Sequence, residues 1–221
     1  MLYILIIILL VITFKYCSDL KKYSKESIIY RKSELTPLEY NLQPYIYSHN
    51  LPTISLDDIC EQLSNKYYIY GKELIRISDF KNNSCYICKN NELIDDLQLR
   101  LTMNNIFQNF RKNISCNIQY YMSIIKGNYY TELTKNKHNI MIISILFGSC
   151  KLYLFNPKHE NDILYKDLDS IKKWGIELNV DKSTIIYIPS NWYFSIDVSE
   201  ICGIGHIEAD NYFTFIYNII K

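Results

Sequence analysis

The sequence predicts a mainly β body with helices toward its N-terminal side, an α+β arrangement, preceded by an apolar N-terminal helix. Three observations carry this. The first fourteen residues, MLYILIIILLVITF, contain no charged side chain. From Asn91 to Lys112 apolar residues recur at near-helical intervals. Beyond Lys112 the chain breaks into short runs rich in β-branched and aromatic residues, separated by Asn, Gly, Lys and Asp.

As a helix, the run from Met1 to Phe14 covers about 21 Å, against roughly 30 Å of hydrocarbon in a bilayer. Local thinning, or snorkelling by Lys15 past Tyr16 and Cys17, closes the difference. A basic residue before the run and a small-x-small site after it would mark a cleaved signal peptide, and KYCSDLKK offers neither cleanly. Residues 1–17 are therefore expected to be an uncleaved signal anchor. A buried strand or helix of the body is the alternative for a run of this length. Lys15, Lys21 and Lys22 flank the C-terminal side, which by the positive-inside tendency makes the membrane-anchored body cytosolic.

Residues 18–55 are polar and carry Pro37, Pro44 and Pro52, the texture of a stalk with extended pieces laid on the body. Residues 56–221 form that body. SLDDICEQLSN opens with Ser55, Asp57 and Asp58 ahead of Ile59 and Leu63, the pattern of a short capped helix. KYYIYG and ELIRISDF read as strands. Leu93, Leu97, Leu101, Ile106, Phe107 and Phe110 then predict one long amphipathic helix whose stripe packs on the core. The strand candidates that follow are NIQYYMSII, NYYTEL, NIMIISILFG, KLYLFNP, WGIELNV, STIIYIPS, WYFSIDV, CGIGHIE and YFTFIYNII. Their spacing calls for a sandwich or barrel.

Composition narrows the function. A net charge of +1 with 14% aromatic residues and 21 tyrosines lacks the basic footprint that phosphate neutralisation requires, so no nucleic-acid partner is expected. The abundance of Ile, Asn, Lys and Tyr resembles the coding bias of AT-rich genomes, such as those of some parasites and large DNA viruses. Seven cysteines are an odd number, and reduced thiols are the simpler expectation. Cys85 and Cys88 have zinc-ligand spacing without a second pair, so two free thiols in a loop are expected. Asn82 and Asn113 head glycosylation acceptor patterns that matter only for a lumenal body. G-x-S-x-G, Walker A, HExxH and GxGxxG patterns are missing. The neighbouring pairs Asp57–Asp58 and Asp95–Asp96 suit helix starts better than acid–base work.

One ordered set of segments carries a resemblance. TKNKHNIMIISILFGSCKLYLFNP, a gap, WGIELNVDKSTIIYIPSNWYFSIDV and a closing strand pair resemble the cupin-like, JmjC-type double-stranded β-helix, a jelly-roll fold, over about residues 115–221. The most specific part is I-P-x-x-W, with Pro189 and Trp192. In that family a His-x-Asp/Glu pair and a distal histidine hold Fe(II), leaving positions for 2-oxoglutarate and oxygen. Counting back from Gly148, the resemblance puts Lys135 and Lys137 at the paired positions. Counting back from Lys151 puts Asn136 and His138 there. The distal position falls on Phe194. Neither register restores the triad, because a protonated lysine and a phenylalanine cannot coordinate. Lys151 corresponds to the lysine that pairs with the distal carboxylate of 2-oxoglutarate in many relatives, or is an ordinary strand-flank lysine.

The sequence thus leads to the expectation of a membrane-anchored, non-catalytic cupin-like protein without cofactor. It would act in binding or assembly with an unknown protein partner or a small molecule. Tyr129, Tyr130, Trp174, Trp192 and Tyr193 are core residues by default and contact area otherwise. Two alternatives stand beside it. One is a 2-oxoglutarate-dependent oxygenase, active or vestigial, using Fe(II) and unorthodox ligands such as His138 with Glu132 or Glu177. The other is a metal-free cupin pocket for a sugar or other small molecule.

Overall fold

The computed structural model describes residues 2–20, 25–32, 42–48, 51–52, 54–70, 73–81, 84–110 and 115–220. Helix α1 (Leu2–Leu20) extends past the uncharged run, and the apolar side chains between Tyr3 and Phe14 described in it are exposed. Among the described residues no helix is long and apolar enough to cross a membrane.

Strands β1 (Tyr30–Lys32) and β2 (Tyr45–Ser48) precede helix α2 (Leu56–Gln62). A capping box starts α2: Asp58 N–H donates to Ser55 Oγ, and Ser55 N–H to the Asp58 carboxylate, both at 3.1 Å. Strands β3 (Tyr67–Tyr70) and β4 (Glu73–Arg76) form a separate antiparallel pair. The CYIC segment begins β5 (Cys85–Asn90), a strand rather than the expected loop, with Cys88 exposed.

The expected long helix is two helices, α3 (Asn91–Asp96) and α4 (Arg100–Phe110). Between them Gln98 takes a left-handed φ of +54°. The break re-phases the apolar stripe: Leu99 is buried and Leu101 is 70% exposed, while Met103, Ile106, Phe107 and Phe110 all reach the core. Core burial outweighs the continuity of the helix.

Strands β6 (Cys116–Lys126), β7 (Tyr129–Tyr130), β8 (Thr134–Lys135) and β9 (Ile140–Phe155) come next, then the short helices α5 (Glu160–Ile163) and α6 (Leu168–Ile171). Strands β10 (Gly175–Asp181), β11 (Thr184–Ile188), β12 (Tyr193–Val198) and β13 (Ile201–Asp210) complete the sheets. The last strand candidate, YFTFIYNII, is instead helix α7 (Tyr212–Ile220). Asn211 Oδ1 accepts from Thr214 N–H at 2.9 Å and starts the helix, overriding a β propensity that counts only where a neighbouring strand is offered.

The main sheet runs β1-β2-β11-β9-β13-β6-β5, antiparallel except for β1 with β2. A second layer has β9 between β10 and β12, with β7 and β8 on the far side of β12. Strand β9 serves both layers. Up to Gly148 it lies between β11 and β13, and from Lys151 onward it runs between β10 and β12. Gly148 sits at the bend with φ +73°, where an added Cβ would meet the Ile201 carbonyl oxygen at 2.0 Å. The result is a sandwich-like α+β fold.

Three apolar clusters follow from this layering. Helices α2–α4 cover one face of the main sheet through residues such as Ile59, Met103 and Phe107. Between the layers lie Met141, Ile143, Leu152, Leu154, Ile186, Trp192, Phe194 and Ile204. Tyr153, Phe155, Ile163, Ile171 and Tyr193 pack on the outside of the second layer. The end of the sandwich where β9 begins and ends, β12 starts and β13 stops is its rim.

Candidate functional site

The turn between β11 and β12 is locked from one residue. Asn136, 1% exposed, donates its side-chain amide to Ile188 C=O and its N–H to Trp192 C=O, each at 2.8 Å. It also accepts, at the same distance, from Asn191 N–H through its carbonyl and from His138 N–H through Oδ1. Asn191 completes the turn with φ +68°. Pro189 and Trp192 are buried, and Trp192 Nε1–H reaches Leu42 C=O at 2.9 Å, fastening the segment before β2 to the hairpin.

The positions assigned to the metal pair and the distal ligand do not converge. Phe194 is buried between the layers, opposite Leu154 of β9 and Thr134 of β8. Lys135 is opposite Tyr193, whose ring belongs to the outer cluster, and its Nζ lies 3.1 Å from Glu160 Oε1. Tyr193 OH donates to the same oxygen at 2.5 Å. Lys137 is exposed, and its carbonyl accepts from Asn218 at 3.2 Å. Strand alternation therefore assigns Thr134 and Asn136 to the side of Phe194. A hydroxyl, an amide and a phenyl ring do not match a two-imidazole, one-carboxylate donor set for Fe(II). Lys151 points outward from β9 and pairs with Glu177 at 3.3 Å, both about half exposed.

A different constellation occupies the rim. Along β13, Cys202 and Ile204 belong to the inter-layer core, and alternation continues that face with His206, Glu208 and Asp210. His138, in the loop between β8 and β9, sets Nε2 at 3.2 Å from Glu208 Oε2 and Nδ1 at 3.1 Å from Asp210 Oδ2. Lys89 also pairs with Glu208, and Asn117 Nδ2 donates to Asp210 Oδ2 at 3.2 Å. Lys89 and Asn117 both have left-handed backbones, with φ of +42° and +48°. Their side chains enter the cluster from strand ends where the ladder register shifts.

Electrostatics fix the charge states here. Burial opposes the charged form of His138, but hydrogen bonds and charge from Asp210 and Glu208 outweigh it and raise its pKa to about 9. Burial likewise opposes ionisation of Glu208, and His138 with Lys89 overcomes it, lowering the pKa to about 2. Beneath them His206 is 3% exposed, and burial, then the charge of Lys89, lower its pKa to about 3. Its Nε2 is 2.9 Å from Ser123 Oγ, which accepts from Lys89 N–H at 2.9 Å.

That Ser–His contact resembles a nucleophile and base in distance only. A base at about 3 removes little from a serine hydroxyl at neutral pH, His206 Nδ1 has no hydrogen-bond partner among the described residues, and both groups are enclosed. Near neutrality His138, held near 9, and Glu208, held near 2, both stay in their charged forms. The cluster is an internally compensated ion network.

Beside it opens a cleft of about 450 Å³, with His138, Asp210, Asn117, Lys137, Phe215 and Asn218 among its walls. Among the described residues no group of three or more His, Cys, Asp or Glu side chains is arranged to hold a metal. The carboxylate partners of His138 are Glu208 and Asp210, whereas Glu132 is exposed and Glu177 faces Lys151. The His159 ring packs at a tilt against Trp174, 4.9 Å between centroids, and His49 lies outside the described residues. Of the tyrosines and tryptophans named above, Trp192 and Tyr193 are buried, Tyr129 packs at a tilt against Tyr86 with 4.4 Å between centroids, and Tyr130 and Trp174 are exposed.

Sequence reasoning missed Lys89, Ser123, Glu208 and Asp210. One signal was present: in CGIGHIEAD polar residues replace apolar ones at every second position of a strand otherwise built for the core. No protein-family model matches the chain, and no curated protein matches its sequence.

Proposed function

We propose that the body is a jelly-roll of the cupin-like, JmjC-type kind without metal chemistry, tethered to a membrane through residues 1–17 and working by binding or assembly. The strand pairing supports the fold reading. Orders β6-β13-β9-β11 and β7/β8-β12-β9-β10, two layers that share β9, agree with what winding one double-stranded ribbon would give. The single observation that carries the non-catalytic reading is Phe194. Its ring fills the space between the layers at the position where the resemblance calls for a ligand, and Lys135 turns to the other face.

The test is the metal content of the full chain, purified in detergent, after anaerobic incubation with Fe(II) and 2-oxoglutarate and then desalting. Retention of no iron is expected. Stoichiometric iron would overturn the proposal and favour the oxygenase reading, whose one structural support is the approach of His138 to Glu208 and Asp210. The rim cleft supports the remaining reading, a metal-free pocket for a sugar or similar molecule. Native mass spectrometry that finds a small molecule retained through purification would favour it.

A further inference from the structure

We infer that α7 is a second membrane contact, which seats the rim of the sandwich against the lipid surface. The inference rests on the membrane tether proposed for residues 1–17. Tyr212, Ile216 and Ile219 are 63%, 48% and 67% exposed, and their spacing of four and three residues puts them on one face of the helix. Thr214, on the other side, is buried, and Asn218 ties the helix to the rim through Lys137 C=O. The exposed stripe is apolar with an aromatic residue at one end, the composition that favours the boundary between headgroups and acyl chains.

The position of the tether selects lipid as the occupant. Lys158 Nζ donates to Lys25 C=O at 2.7 Å, and Asn156 Nδ2 donates to Glu26 C=O at 3.0 Å. Asn156 directly follows Phe155, the last residue of β9, which pairs with Tyr193, and Tyr193 pairs in turn with Lys135. The chain therefore joins the body at the rim, the same end that carries α7. From Leu20, the last residue of α1, to Lys25 a fully extended chain reaches at most about 18 Å. With residues 1–17 in a bilayer, the last three residues of α1 add about 5 Å, so the rim is held within about 23 Å of the point where the chain leaves the lipid. An apolar stripe on the opposite end of the sandwich would not be held there. Lys25, Lys137 and Lys158 are exposed around the rim and suit anionic headgroups.

The experiment uses the full chain in phosphatidylcholine vesicles, with and without phosphatidylserine, and the variants Ile219→Trp and Tyr212→Trp at exposed positions. Flotation with the vesicles reports the tether. Quenching by brominated acyl chains, taken as the difference from the unsubstituted chain, reports α7. The expected result is flotation together with loss of most of the added indole emission in brominated vesicles, stronger with phosphatidylserine. Flotation without quenching of either added indole overturns the α7 contact and leaves the tether standing. Failure to float overturns the tether and with it this inference. A blue-shifted but unquenched indole identifies a protein occupant of the stripe and also overturns it. That occupant would be α1 if the shift is independent of protein concentration, and a second copy if it grows with concentration.

Discussion

His138 and Glu208 hold each other charged, and His206 beneath them is held neutral. His138 titrates at about 9 instead of 6.5, so its contribution to stability is complete below pH 6.5 and is lost as pH rises through 9. Glu208, lowered from 4.5 to about 2, contributes above pH 4.5 and loses its contribution as pH falls through 2. His206, lowered from 6.5 to about 3, is protonated first in the unfolded chain, so stability drains away from pH 6.5 down to 3. These three groups together predict a maximum close to pH 6.5. Urea midpoints across the pH range check this: the fall between pH 6.5 and 9 should flatten in His138→Gln, and persistence of the same fall would remove the network as its cause. At Asn136, substitution by alanine strips the buried Ile188 carbonyl and the part-buried His138 N–H of their Asn136 partners, at a cost of about 1–3 kcal/mol. Unchanged thermal unfolding in Asn136→Ala would contradict the locked turn. Phe194→His is expected to take up no Fe(II), because Lys135 faces away and Thr134 and Asn136 supply no strong ligand. Metal analysis of that variant is the check.

Backbone geometry gives two element-scale predictions of opposite sign. Gly148→Ala forces a left-handed alanine against the Ile201 carbonyl at the bend that lets β9 serve both layers. It should cost more than about 1 kcal/mol in chemical denaturation. Gln98→Gly relieves a left-handed residue in the α3–α4 turn and should gain up to about 1 kcal/mol. If glycine at 98 destabilises instead, the turn is not the source of strain. Elements were read well from sequence where local pattern and burial agree, as in the capped start of α2 at Ser55 and the short β-branched and aromatic strands β11 and β12. Reading failed at α3–α4 and at α7. In the first, re-phasing Leu99 into the core decides the break. In the second, a β-rich composition meets a helix cap at Asn211, which turns the segment into a helix.

At the scale of the whole molecule, the proposed tether makes a testable topological statement. The lysines after the apolar run favour a cytosolic body, so Asn82 and Asn113, both outside the described residues, should carry no glycan when the full chain is expressed in a eukaryotic cell. An electrophoretic shift on endoglycosidase treatment would place the body in the lumen. The rim is where the molecule's features gather: the attachment of the segment at Lys25, the ion network, the cleft and α7 all lie at that end of the two layers.

The sequence by itself determined the apolar N-terminal helix, the mainly β body, the I-P-x-x-W hairpin and the residue types that stand at Lys135, Lys137 and Phe194. Each of those is a property of residue type or of a local period, which the chain carries whatever it folds against. Only the tertiary structure decided that His138 meets Glu208 and Asp210, some seventy residues away, and that Lys89 joins them. Such contacts depend on which strands become neighbours and on which face each residue presents. One residue of register exchanges the two faces, as it does between Lys135 and Asn136, and that choice is made by packing β8 against β12.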